Sequence, residues 1–147
     1  MNTGLMATLT ANGPRPLHPL HAILLAFALP LFLGGLISDM AYARTFHIQW
    51  SNFAAWLIAG GLFMSAFSLL WALIDVILHR RAPGMRAIVY LALLAVMWTL
   101  GFFNALVHAK DAWAVMPAGL WLSVIVTLLA LAASWVGYSG LRRGEVR

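Results

Sequence analysis

Residues 53–78 read FAAWLIAGGLFMSAFSLLWALIDVIL, and Asp75 is the one ionisable side chain among them. An α-helix needs about 20 consecutive apolar residues to cross the hydrocarbon core of a bilayer. Because that core offers no water to unpaired backbone groups, a spanning segment must satisfy its hydrogen bonds within a helix. This stretch therefore predicts a transmembrane helix.

Three further apolar runs cover residues 20–37, 87–107 and 116–138. Hydrophobic residues make up 63% of the chain and charged residues only 9%, which is too little polar surface for a water-exposed domain of this size. With short connections between the runs, consecutive helices must alternate in direction. The sequence predicts an all-α fold, an integral membrane antiparallel four-helix bundle with spans at about 20–37, 53–78, 87–107 and 116–138.

The rest of the chain is short. Residues 1–16 predict a flexible cytoplasmic tail, residues 17–141 the four-span domain and residues 142–147 a basic cytoplasmic tail. The absence of cysteine excludes disulfides, thiolate metal sites and iron–sulfur ligation by this chain. It has no serine-nucleophile motif, no His-Glu-x-x-His and no phosphate-binding glycine loop, so the sequence does not favour an enzyme.

The cations indicate the orientation, because positively charged loops remain on the cytoplasmic side. Seven of the nine would share one side of the predicted bundle, and Arg44 and Lys110 the other. We therefore expect an inner-membrane protein with both termini in the cytoplasm and with residues 40–51 and 109–115 outside. The net charge of +5 reflects this asymmetry and attraction to anionic lipids, and no nucleic-acid motif accompanies it.

Small and polar residues form one stripe on each predicted helix, at steps of three and four. The stripes run from His18 to Asp39, from Gly61 to His79, from Tyr90 to Asp111 and from Ser123 to Gly137. Small and hydroxyl residues let membrane helices approach closely and form hydrogen bonds across the contact. We expect the four stripes to face one another.

At the cytoplasmic end the stripes would gather His18, His21, Asp75, His79 and Tyr90. An aspartate within a span costs about 2.5–3.5 kcal/mol on insertion scales, so it needs a partner or a function. One interpretation pairs Asp75 with the arginines that follow it at the cytoplasmic interface. The alternative has Asp75 hold the ring N–H of His79 and so fix which nitrogen faces a ligand.

At the outer end the candidates are Asp39, His47, Asn104, His108 and Asp111. The last three follow at i, i+4 and i+7, which places them on one helix face about two turns long. If α-helical residues emerge into water at this end, Asp111 is explained. Asn104 is explained less well, because it lies deeper in the span. We expect Asn104 to have a structural polar role, and we expect Asn104, His108 and Asp111 to face the other helices.

Five motifs of the chain resemble those of a known family. They are His18-Pro19-Leu20-His21, Ser38-Asp39, residues 52–61, Asp75 with the following arginines, and Asn104 with His108 and Asp111. By these motifs, nearly the whole chain after the tail resembles small four-span bacterial membrane proteins catalogued as a domain of unknown function. The resemblance implies a link to membrane electron transfer, because some members look as if they are fused to Rieske-type iron–sulfur domains. This chain carries no such domain.

The first functional hypothesis is a redox membrane protein that binds haem b between helices, since imidazoles on facing helices are good axial ligands. His21 and His79 would form the cytoplasmic pair, with Asp75 orienting His79 and His18 nearby. His108 and His47 would form a weaker outer pair. The expected partners are the lipid bilayer and a redox partner protein or quinone.

Two other hypotheses remain open. A cofactor-free assembly or accessory subunit would use the polar stripes for helix packing alone. A metal-ion or proton-handling protein would use Asp39, His108 and Asp111, and without thiolates such a metal site would suit Zn, Fe, Ni or Mn better than soft copper. The sequence leaves the oligomeric state open.

Overall fold

A computed structural model describes residues 18–78, 84–110 and 114–139. The described part contains four long helices and no strand. The two predicted tails lie outside the described residues, as do His79, the arginines that follow it, and Asp111.

The helices are α1 (Pro19–Thr45), α2 (Ile48–Leu78), α3 (Met85–His108) and α4 (Ala118–Tyr138). All four are long and apolar enough to cross a membrane. Each packs against two others, so that α1, α2, α3 and α4 form a closed ring. The predicted all-α four-helix bundle is confirmed.

The connection between α1 and α2 is much shorter than predicted. Residues 40–51 were expected to form an outer loop, but α1 continues to Thr45 and α2 starts at Ile48. Phe46 ends α1 with a left-handed backbone (φ 55°), and its N–H donates to the Tyr42 carbonyl at 2.8 Å. The helix persists past the apolar run because Ser38 and Asp39 form hydrogen bonds inside the protein instead of turning to water.

The opposite end of α1 begins as the sequence predicts. Pro19 occupies the first helical position, where its missing N–H costs nothing. His18 is the N-cap, and its ring Nδ1 accepts a hydrogen bond from the Leu20 N–H at 3.3 Å. This capping role places the start of α1 at His18.

The core is an apolar layer in the middle of the bundle, built from the fully buried Leu25, Phe32, Leu94, Met97 and Val126. Small residues let the helices approach there. A Cβ placed on Gly61 would lie 2.9 Å from the Phe32 ring. Such contacts are typical of membrane helices, which associate through close packing.

Most of the predicted stripe is buried between helices. The buried members include His21 and Asp39 on α1, Ser65 and Ser68 on α2, Asn104 and His108 on α3, and Ser123, Thr127 and Ser134 on α4. His18 and Asp75 are exposed, contrary to the stripe pattern. Both lie at the same end of the bundle, His18 as a helix cap and Asp75 in the last turn of α2, where the stripe leaves the helix contacts.

Candidate functional site

Four polar residues from three helices meet in one hydrogen-bonded group, which we call the Asp39 centre: Asp39, Asn104, His108 and Ser123. Asp39 is fully buried, and its Oδ1 lies 2.8 Å from Nε2 of His108. Its other oxygen accepts a 2.5 Å hydrogen bond from the Ser123 hydroxyl. An intramembrane carboxylate therefore has both oxygens paired inside the protein, as its cost of burial requires.

The helices place these groups by regular spacing. Asn104 and His108 are one turn apart on α3, so both face α1 and α4. The Asn104 carbonyl lies 2.9 Å from His108 Nδ1, and its side-chain Nδ2 donates to Ser123 Oγ at 2.8 Å. Asp39 lies six residues before the end of α1, about 9 Å along the helix axis. The centre is thus near one end of the bundle but within the helix contacts.

The hydrogen-bond partners determine where most of the protons lie. A carbonyl oxygen can only accept, so His108 Nδ1 carries a hydrogen that it donates to Asn104. The contact between His108 Nε2 and Asp39 Oδ1 then holds one proton, on the nitrogen if Asp39 is ionised and on the oxygen if it is neutral. Both arrangements carry zero net charge, which suits a buried site.

Ser123 is the bridge of the centre. Its single hydroxyl hydrogen goes to Asp39, so its oxygen is free to accept from the Asn104 amide. That arrangement leaves Asn104 Oδ1 buried without a hydrogen-bond partner among the described residues. The centre therefore has capacity for one further donor.

Close packing seals the centre from the lipid side. A Cβ on Gly119 would lie 2.9 Å from the His108 ring and 2.7 Å from Val115, which is fully buried. Tyr42, one turn beyond Asp39 on α1, is 2% exposed. The centre is enclosed by protein rather than by acyl chains.

A second polar group lies at the other end of the bundle. His21 is 1% exposed, and its Nε2 lies 2.8 Å from the Tyr90 hydroxyl. The indole of Trp71 stacks on the His18 ring, with ring centroids 5.0 Å apart, and lies 5.8 Å from the His21 ring. The 18 residues from His21 to Asp39 correspond to about 27 Å of helix, so the two groups are near opposite ends.

A family model described as "Predicted membrane protein (DUF2231)" matches residues 17–146, nearly the whole chain. The chain belongs to this family. The four apolar helices agree with that description, and the protein is a membrane protein. No curated protein and no solved structure matches the chain.

The structure of this family member brings Asp39, Asn104 and His108 together, three of the residues that the sequence selected for the outer end. Asp111 lies outside the described residues. His47 is exposed and lines an open cavity of about 440 Å³ with residues 48–50 and Phe53, whereas both ring nitrogens of His108 are engaged within the Asp39 centre. The metal-ion hypothesis stays a prediction, and no cluster of three metal-ligating side chains occurs within the described ranges.

At the other end, the pairing of His21 with His79 and the role of Asp75 also stay predictions, because residue 79 lies outside the described part. His21 Nε2 is engaged by Tyr90, and its Nδ1 has no hydrogen-bond partner in the described part of the chain. A haem b ligated by His21 would therefore use Nδ1 or replace the Tyr90 contact.

Sequence reasoning missed two contributors. Ser123 was placed on the α4 stripe, but its role as the bridge to Asp39 depends on the relative heights of α1 and α4. Trp71 lies one residue before Ala72 of the α2 stripe and was not selected, although it contacts His18 and His21. Its only sequence signal is an indole near a span end, where amphipathic rings are common.

Proposed function

We propose that this protein is a proton-handling membrane module whose working group is the Asp39 centre. The observation that carries the proposal is a fully buried carboxylate 2.8 Å from an imidazole, with a single proton between them. An ionisable residue inside a membrane protein marks a functional site by default, because it is costly to keep there. Carboxylate and histidine are also the usual members of intramembrane proton relays.

The chemistry of the pair supports proton transfer: Asp39 and His108 share one proton, uptake of a second from water would leave both groups protonated, and its return to water would restore the neutral pair. Shifting the shared proton between Nε2 of His108 and Oδ1 of Asp39 needs no heavy-atom movement, because the two atoms are already within hydrogen-bond distance. Ser123 stabilises the ionised form of Asp39 by donating to its second oxygen. The free acceptor on Asn104 is suited to a water molecule or hydronium ion that exchanges the proton.

Infrared spectroscopy tests the proposal on protein reconstituted in lipid. As the bulk pH is changed, we expect the carboxyl C=O band of Asp39 to change in the infrared spectrum. The ¹⁵N resonances of the His108 ring should change with it in NMR spectra of the same sample. Asp39→Asn should remove the band. Ser65→Ala is the matched control, since Ser65 is equally buried but donates only to the Leu62 carbonyl of its own helix.

A pH-independent centre would contradict the proposal. If neither the Asp39 band nor the His108 resonances changed over the whole pH range in which the protein stays folded, the centre would hold its proton permanently. It would then be structural, and the proton-handling function would be abandoned.

We further propose an inner-membrane location with both termini in the cytoplasm, supported by the sequence pattern, which assigns seven of the nine cations to one side. In that orientation the Asp39 centre lies toward the outer face and His21 toward the cytoplasm. A redox partner protein or quinone is a fitting partner, because membrane electron transfer commonly requires protons to be taken up or released. Haem b remains the predicted cofactor for that case.

A second candidate function is an assembly or accessory module without a cofactor. It is favoured by side chains that tie one helix to the backbone of another: Thr127 donates to the Phe32 carbonyl at 3.2 Å, Trp98 to Leu62 at 3.2 Å and Tyr138 to Ala22 at 2.7 Å. Such bonds fix helix packing. In this case Asp39→Asn should leave the protein's association with its partner unchanged.

A further inference from the structure

Three buried polar atoms at the His21 end lack a hydrogen-bond partner among the described residues: His21 Nδ1, Ser68 Oγ and Ser134 Oγ. Their residues are 1%, 0% and 7% exposed. Buried polar atoms in proteins are nearly always paired with protein or with ordered water. We call these three residues the His21 cluster.

The two serines differ from Ser38 and Ser65 in their hydrogen bonds. Within a helix, a serine hydroxyl commonly donates to the carbonyl three or four residues before it. Ser38 and Ser65 do so, at 2.9 Å and 3.2 Å. Ser68 and Ser134 make no such bond, so their hydroxyls retain the capacity for a partner outside their own helices.

The packing contacts place the three residues within about two helical turns of one another along the bundle axis. A Cβ on Gly137 would lie 2.6 Å from Leu25 and 3.2 Å from Tyr90, and Ser134 is one turn below Gly137 on the same face of α4. On α2, Ser68 lies one turn below Trp71, which contacts His21. Ser68 is therefore about one turn, and Ser134 about two turns, inside the level of His21.

We propose that the His21 cluster is an internal water-binding site. Water is the fitting ligand because it can donate to His21 Nδ1 or accept from it, according to the tautomer, and accept from the serine hydroxyls, and buried waters typically make about three hydrogen bonds. Tyr90 engages the other ring nitrogen, so Nδ1 is the His21 ring atom that is left for a water molecule. The site lies at the end of the bundle opposite the Asp39 centre.

Mostly apolar side chains fill the bundle between the two sites. Leu25 and Asp39 are 14 residues apart on α1, about 21 Å of helix, and Phe32, Met97 and Val126 fill the interval. One step rests on the proposed function: His21 and its waters exchange protons with one side of the membrane, and the Asp39 centre exchanges protons with the other side. The apolar layer then prevents a proton leak.

Silver-ion labelling tests the hydration of the cluster. The chain has no cysteine, so Ser68→Cys and Ser134→Cys each carry a single thiol, and the silver that the unmodified protein binds through its seven methionines and five histidines is subtracted as background. The matched control is Ala130→Cys, which is 1% exposed and lies one turn from Ser134 within the apolar layer. Intact mass of the reconstituted protein reports the bound silver over time.

We expect silver to react with a thiol at either serine position at least about tenfold faster than with one at position 130. Bringing an ion into the apolar contacts around position 130 has a free-energy cost, and each 1.4 kcal/mol of that cost lowers the rate by a factor of about ten. Equal slow rates at all three positions would overturn the water site. Should the variants fail to fold, water-edited solid-state NMR of the unmodified protein gives the same decision. A cross-peak between water and His21 Nδ1 supports the site, and its absence refutes it.

The two proposals can fail separately. Silver labelling and water contact at the His21 cluster do not depend on any titration of Asp39. If the serine positions react but the Asp39 band is insensitive to pH, the water site stands and the proton-handling function falls. The reverse result would leave the Asp39 centre as the only exchange site.

Discussion

Substitutions of Asp39 separate the packing role of the Asp39 centre from its chemistry. Asp39→Ala removes two hydrogen bonds between helices, to His108 and Ser123, and leaves both partners buried without them. A buried polar group left unpaired costs about 1–3 kcal/mol. Hydrogen bonds between membrane helices average only about 0.6 kcal/mol in measured cycles. Weighing both values, we expect Asp39→Ala to lower the free energy of unfolding by about 2–3 kcal/mol.

Asp39→Asn should cost much less. His108 Nδ1 carries a hydrogen for the Asn104 carbonyl, so a neutral ring presents an acceptor at Nε2. The new amide can donate to that nitrogen with its NH₂ group and accept from Ser123 with its oxygen, which keeps every bond of the centre. We expect a loss of no more than about 1 kcal/mol, the net value of one typical hydrogen bond.

The assay is unfolding in mixed micelles with increasing sodium dodecyl sulfate, followed by tryptophan fluorescence, since the chain has seven tryptophans. Ser65→Ala again serves as the control for loss of a buried polar group outside the centre. The reasoning would be refuted if Asp39→Asn destabilised the protein as much as Asp39→Ala. That result would mean that the centre requires the charged carboxylate and imidazolium rather than the hydrogen-bond pattern alone.

Two further predictions follow from packing and charge. Gly137→Ala should destabilise the bundle by about 1–3 kcal/mol in the same unfolding assay, because the new Cβ would lie 2.6 Å from the buried Leu25. Gly60→Ala is the control and should be neutral or slightly stabilising, because its Cβ would lie 3.7 Å from Leu31. In intact cells, a cysteine at Gly144 should react only with membrane-permeant reagents and one at Ala112 also with impermeant reagents; the reverse pattern would invert the orientation.

The membrane class and the number of helices follow from the sequence alone. Four runs of apolar residues leave no other way to satisfy the backbone in lipid, so residues 53–78 predict α2 regardless of what packs against them. The buried face of each helix is also predictable, because small and polar residues repeat at helical spacing. Asn104 and His108 were expected to face other helices, and both are buried.

The ends of the helices were less predictable. The apolar run that predicts α1 ends near Ile37, yet the helix continues to Thr45. Hydrophobicity could not show this, because Asp39 looks like the start of a water-exposed loop unless its partners are known. Those partners, His108 and Ser123, come from helices far away in sequence.

Sequence by itself determined that Asp39, Asn104 and His108 are candidates at one end of a membrane bundle. Only the tertiary structure decided that Asp39 meets His108 and that Ser123 completes the centre. The physical reason is that helical periodicity fixes which face a residue occupies, but not the height at which one helix lies against the next. That height is set by close contacts such as Gly61 against Phe32 and Gly137 against Leu25, and a shift of one turn would separate the carboxylate from its imidazole.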